Sequence, residues 1–495
     1  MSLARRPLLA LAAAASLTGR SAFAQSGGTL RVAVDSEYRN WNPAQVASNG
    51  VAIVARKIVE TLFDLAPDAK TLVPVLATGW TQGPDGLTHT FALRSGVVFH
   101  DGRPFTSSDV AFSALSQWKT LQNFGRDVFR ALDAVDTPDP LTAVFRYSRP
   151  MPAQLLAAAL PALSFVVPRH VYDVADQAAN PANTALVGTG PFRFGEYRRG
   201  EVYRVVRNPA HWRGASLERI DFRIMPDKGA VAASLEAGEI DLACFGGVSV
   251  EDAGRLGSLP GFEATARGYE ALLYTSIAEF NFDRPELKDV RVRHAIAHAL
   301  DPASMASTIL GGFGGVATSP IPRTDPVFHA SGLPSYPHDP ARASALLDEA
   351  GYPRGANGTR FALRIVPAPF FDQTKRIGEA MRQSLRAVGI DASVVATDLP
   401  GFFAAVYRNR AFDLTAGIYV HRQDPAISMA ALYRSGTPAG VPFSNQRGWQ
   451  SAEMDGLLAR ADAEMDGARR VALYAEVQRL AMTELPLLPM VEFAL

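Results

Sequence analysis

The feature that most restricts the fold is an alternation of strand-like and helix-like stretches that runs to Gly268 and then starts again. In the first half, "TLRVAVDSE" alternates apolar and polar residues as a strand does, and "GVAIVARKIVETLFDL" has the period of a helix. "LTHTFALRSGVVF" reads as strand, turn, strand, and "KGAVAASLEAGEIDLAC" as a helix running into a strand. Beyond Gly268, "EALLYTSIAEFNF" is strand-like and "RVRHAIAHALD" helical, and "DPARASALLDEAGY" is a helix stopped at Gly351. "RFALRIVPA" followed by "QTKRIGEAMRQSLRAVGIDASVVAT" gives strand, helix, strand, and "AFDLTAGIYV" a further buried strand. Such alternation builds α/β lobes. At 495 residues the chain exceeds one ordinary core. It has no solenoid repeat and no low-complexity linker, so the lobes are expected to be joined by tight hinges.

Lysine plus arginine and aspartate plus glutamate balance at 49 each, which removes the electrostatic case for nucleic-acid binding. Arg5 and Arg6 precede the apolar run Leu8–Leu17, and Ala22 and Ala24 supply small residues for cleavage. This is the pattern of a signal peptide over residues 1–24, cut after Ala24 for export to the periplasm. "RRPLL" fits twin-arginine export and an ordinary basic start alike. No later stretch suits a membrane span, and "AQLLAAALPALSFVV" is interrupted by Pro161. A lone Cys244 excludes an internal disulfide and reads as a buried residue.

His294 and His298 stand four residues apart, the spacing of zinc-protease ligands, but Ala295 occupies the place of the glutamate base. Val292, Ala295, Ile296, Ala299 and Leu300 make the helix amphipathic, which favours a packing role. In "FHDGRPF", His100 and Asp101 invite a metal reading, against which Asp-Gly makes a tight turn between two buriable phenylalanines. "GTGPFRF" lacks the lysine and hydroxyl of a phosphate loop, and "GGFGG", Gly311 to Gly315, reads as a flexible loop. No catalytic residue, metal site or cofactor is expected.

Six stretches occur in a telling order: "LRSGVVFHDGRPFTSSDVAFS", "VGTGPFRFGEYRRGEVYRVVRNPAHWRG", "LEAGEIDL", "FNFDRPELKDVRVRHAIAHALD", "HDPARASALLDEAGYP" and "DGARRVALYAEVQRLAMTELPLLPM". Together they resemble family 5 of the solute-binding proteins of ABC importers, the dipeptide-, oligopeptide- and nickel-binding family. The resemblance implies an α/β, two-lobed periplasmic-binding-protein (Venus flytrap) fold with an extra subdomain in the first lobe. It implies a first lobe from residues 25–45, 185–268 and 478–495, a subdomain over 46–184 and a second lobe over 269–477. It also implies a monomer that captures a small organic solute, peptide-like or anionic, between lobes closing by hinge motion. The solute passes to ABC permease subunits in the membrane, and a separate subunit hydrolyses ATP. Two further readings are a binder of a metal–chelate complex such as nickel and an exported metal-dependent hydrolase. Relatives commonly continue past the last proline-rich strand, so the closing elements of the first lobe are expected to be reduced here.

The resemblance also points to ligand-binding positions. Peptide binders of the family hold the ligand's amino group with an aspartate before an Asp-Pro, and the matching stretch here is "GIYVHRQDP", with Tyr419 in the place of a tryptophan. The amine-binding position falls on His421 or Arg422, depending on where a one-residue gap lies. Either these side chains face the cleft and favour an anion, or they face solvent and a neighbouring acid takes the amine. The loop after "WNP" matches ligand-touching positions at Ala47, Ser48 and Asn49. Phe370 and Phe371 follow a second-lobe strand, where loops face a cleft. The expected ligand-binding set is Ser48, Asn49, Phe371, Tyr419, His421 and Arg422.

Overall fold

The computed structural model describes residues 27–38, 40–46, 48–268 and 272–493. The expected signal peptide and Ala47 lie outside them. Two sheets organise the chain. The first has five strands, in the order Leu242–Ala243, Thr29–Val34, Arg219–Ile224, Val202–Arg207 and Phe192–Arg198. Thr29–Val34 runs parallel to both of its neighbours, so three strands end on the same edge, at Val34, Ile224 and Ala243. Val32, Val34, Trp41, Val51, Ile58, Tyr203 and Phe222 share the core beneath this sheet.

Between these strands the chain builds a subdomain around the antiparallel sheet Ala77–Gln82, Thr88–Leu93, Thr142–Tyr147 and Leu132–Asp139. Its own core runs from Leu62 to Val166, centred on Phe91, Trp118 and Phe145. That is narrower than the span 46–184 expected from sequence, because helix Asn49–Ala55, Val167, Tyr172 and the loop at Leu186 pack into the first-lobe core.

The second lobe has six strands, in the order Gly314–Val316, Leu487–Phe493, Leu273–Glu279, Leu414–His421, Phe361–Pro367 and Ile390–Val394. Two expectations are corrected here. Leu487–Phe493 pairs with Leu273–Glu279 along its length, so it belongs to the second lobe, not to the first where residues 478–495 were placed. The second half of the "GGFGG" loop is a short strand on the other side of Leu487–Phe493. A β-carbon on Gly314 would stand 2.5 Å from the Glu492 carbonyl oxygen, which is why glycine serves there. Five residues of the histidine-bearing helix, Val292, Ala295, Ile296, Ala299 and Leu300, are all buried in this lobe's core.

Two buried ion pairs brace the second lobe. Asp424 and Arg470 are fully enclosed and bonded through both terminal guanidinium nitrogens, with Nη2 at 2.7 Å from Oδ1. Arg447 Nη2 reaches Glu279 Oε1 at 2.8 Å. Two motifs also meet where the subdomain joins the first lobe. His100 Nε2–H donates to the Gly190 carbonyl at 3.1 Å, and Nδ1 accepts from the Gly188 amide at 3.3 Å. A β-carbon on Gly188 would come 2.1 Å from the Ile58 carbonyl oxygen, so both glycines permit a close backbone crossing.

Candidate ligand-binding cleft

The parallel strands of both lobes send their carboxyl ends toward one region. In open α/β sheets this is where ligands sit. Asp35 follows Val34, Cys244 follows Ala243, Phe371 lies just past Pro367, and Arg422 follows His421. Tyr274, near the start of an antiparallel strand, stands at the same end because its register partner is Val420. Side chains on a strand alternate between its faces. Ile418 and Val420 pack on the side that holds Tyr274 and Phe371, and Arg422 continues that series. Tyr419 and His421 point the other way.

Arg422 reaches across to the subdomain, where its guanidinium lies 4.6 Å from the centre of the Phe124 ring. It is half-buried, its Nε has no hydrogen-bond partner, and among the described residues no carboxylate lies within ion-pair distance. Burial pushes its pKa down to about 10, and the nearby Arg56 charge acts in the same direction. It is still protonated at neutral pH. Phe371 meets Tyr274 edge-on at 5.4 Å, and Tyr274 stacks on Phe493 at 5.9 Å. From the first lobe, Asn49 Nδ2 donates to the Tyr274 hydroxyl, and Ser48 donates to the Tyr38 hydroxyl. Burial raises the Tyr274 pKa; Arg422 works against that shift and Asp35 with it, so both charges act on this hydroxyl.

The structure therefore brings Asn49, Phe371 and Arg422 to the seam between lobes, with Ser48 beside Asn49 and bonded to Tyr38 of the first lobe. It places Tyr419 and His421 inside the second lobe. Tyr419 packs with Ile277, Met429 and Tyr433. His421 Nε2 lies 2.7 Å from Asp325 Oδ2, both groups buried. The two acids near the Asp-Pro are committed as well, Asp424 to Arg470 and Asp325 to His421. Phe370, beside Phe371, packs instead on Phe402, Phe403 and Phe443.

Reasoning from sequence missed Tyr274, Asp35 and Phe124. Asp35 was within reach, since it directly follows a first strand. Phe124 was not, being some three hundred positions from Arg422 with no local pattern to link them.

The suspected metal positions serve other ends. His294 Nε2 bonds the Thr483 carbonyl at 2.9 Å, His298 Nδ1 bonds the Pro337 carbonyl at 2.8 Å, and Tyr336 packs on both rings. Among the described residues no group of three or more histidine, cysteine, aspartate or glutamate side chains is placed to hold a metal.

Residues 71–440 match the family described as bacterial extracellular solute-binding proteins, family 5, middle region. The chain belongs to this family. It is a substrate-binding component of an ABC importer. Heme-binding protein A of Haemophilus influenzae is 27% identical over 460 residues, covering 88% of this chain and 81% of that protein. Glutathione-binding protein GsiB of Escherichia coli O157:H7 is 26% identical over 499 residues, covering 98% and 93%. NikA from Brucella suis, solved with Fe(III)-EDTA, superposes with a TM-score of 0.80 at 24% identity, covering 94% of this chain and 95% of that one. DppA from Helicobacter pylori, solved with the peptide STSA, gives 0.78 at 22%, covering 95% and 94%. These superpositions establish the two-lobed periplasmic-binding-protein fold.

Proposed function

We propose that the protein works in the periplasm as a monomer and captures a peptide-like solute that carries a carboxylate, which Arg422 holds. The observation that carries this reading is a half-buried guanidinium at the seam between lobes, without a carboxylate of its own among the described residues. Such a cation is stabilised by an incoming anion, and a planar fork suits a carboxylate. Asp424 and Asp325 are already paired, so a free ammonium finds no acid at the usual place. The exposed Asp35, across the cleft, is where a positive end of the solute would be met. Ser48, Asn49, Tyr274 and Phe371 complete the contact surface. A solute bound with micromolar affinity supplies about 8 kcal/mol, enough to shift an open–closed balance if it prefers the closed form.

A metal–chelate complex is the second reading, since the same guanidinium would hold a chelate's carboxylate. The test is native mass spectrometry of the protein isolated from periplasm, followed by a thermal-shift series. A carboxylate-bearing organic mass that raises the melting temperature by mass action supports the first reading. A mass containing a metal supports the second. A copurified neutral or purely cationic solute overturns both.

A further inference from the structure

A cavity of about 500 Å³ lies between the subdomain and the second lobe, separate from the residues that hold Asn49 to Tyr274. Its wall is drawn in equal parts from residues 123–155 and residues 426–462. Phe124 belongs to this wall and also carries the Arg422 guanidinium, so the cavity begins where the cleft's cation ends. Phe443, on the other side, packs against Phe370 at 5.9 Å.

The lining is unevenly charged. Arg126, Arg130, Arg149 and Arg434 face it, against Asp127 and Asp462. Arg434 is taken by Asp462 at 2.7 Å, and Arg126 leans on the Asn123 side chain at 3.4 Å. Arg130 and Arg149 have no carboxylate within ion-pair distance among the described residues. The floor is apolar, through Met151, Leu155 and Ile427, and Ile427 packs into the subdomain core although it comes from the second lobe. A binding site with an apolar floor and a few convergent charges has the make-up of a ligand pocket.

We propose that this cavity is a second anion seat, so that the solute is elongated and carries at least two carboxylates, one at Arg422 and another between Arg130 and Arg149. The proposal rests on the reading of Arg422 given above and extends it to the size and charge of the ligand. Because each lobe supplies half of the wall, the seat exists only when the lobes have closed. A solute that fills it interacts with the closed form alone, and that differential is what drives closure.

The experiment titrates two probes of equal size, N-acetyl-tetraglutamate and N-acetyl-tetraglutamine, into wild type, Arg422→Gln, and the double variant Arg130→Gln with Arg149→Gln. Both cavity arginines are exposed, so the double variant should fold normally, which circular dichroism checks. Wild type should bind the acidic probe about fivefold tighter, as expected for two partly exposed pairs. The double variant should lose that preference while keeping its affinity for tetraglutamine, whose terminal carboxylate remains for Arg422. Equal affinity of wild type for both probes, or no binding of either, overturns the second seat. So does an acidic preference that survives in the double variant. Arg422→Gln reports separately: if it weakens neither probe, the reading of Arg422 fails, whatever the cavity does.

Discussion

Asn49 in the first lobe donates a hydrogen bond to the hydroxyl of Tyr274 in the second, across the cleft. Two ion pairs span the same divide, Arg376 to Glu251 at 2.8 Å and Lys228 to Asp372 at 3.9 Å. The Gln423 side chain also donates to the Ala69 carbonyl of the subdomain. The lobes are thus in contact, the geometry of a closed trap.

Removing the Tyr274 hydroxyl should loosen this state. Tyr274→Phe keeps the ring contacts with Phe371 and Phe493 and forfeits one hydrogen bond, worth about 1 kcal/mol. Small-angle scattering without solute should show a larger radius of gyration than wild type. An unchanged scattering curve would mean that the bond adds nothing to closure.

Arg422→Gln should weaken binding of the native carboxylate-bearing solute by about tenfold, from the loss of one charge-assisted bond. His421→Ala should act differently, through the Asp325 carboxylate it leaves buried and unpaired. Its cost belongs in urea denaturation and not in affinity. If His421→Ala abolishes binding in a protein of normal stability, the assignment of His421 to the lobe interior is wrong.

Arg470→Met should cost about 3–5 kcal/mol, because it strands the fully buried Asp424 carboxylate. Replacing both partners, Arg470→Met with Asp424→Asn, should recover part of the loss. Equilibrium urea unfolding of wild type, both single variants and the double variant decides the point. An additive loss in the double variant would deny the pairing.

Cys244 should be a slow thiol. Burial among first-lobe residues pushes its pKa up to about 11, with Asp35 adding to the shift. A raised thiol pKa means less thiolate at every pH below it, by about a hundredfold near neutrality. Alkylation by iodoacetamide should therefore be far slower than for a free thiol at pH 8 and should climb steadily toward pH 11. Rapid labelling at pH 7 would contradict this placement.

Much of the architecture was legible because it rests on local periodicity. The stripe Val292, Ala295, Ile296, Ala299, Leu300 is a helix face in sequence and in space. Thr106 and Asp109 have the residue types and spacing of a helix start, and the Thr106 amide donates to Asp109 at 2.9 Å. Pairing between distant strands leaves no such trace. Nothing near "PLLPMVEF" says that its neighbours are Leu273–Glu279 and Gly314–Val316, so its lobe was misassigned. The site divides the same way. Strand alternation after Leu414 separates His421 from Arg422 once the register is known, but the sequence left both open. Phe124 and Asp325 enter only through tertiary folding.

The position of Leu487–Phe493 has a further consequence for how the molecule comes into being. It lies inside a sheet whose first member in the chain, Leu273–Glu279, starts some two hundred residues earlier. The first lobe and subdomain draw their strands from residues 29–243 and can settle early. The second lobe must hold Leu273–Glu279 with one edge unsatisfied until residue 493 arrives, and such long-range closure is slow. During synthesis and passage across a membrane, that open edge is where a chaperone would find the chain, and where a chain broken just before residue 487 would aggregate.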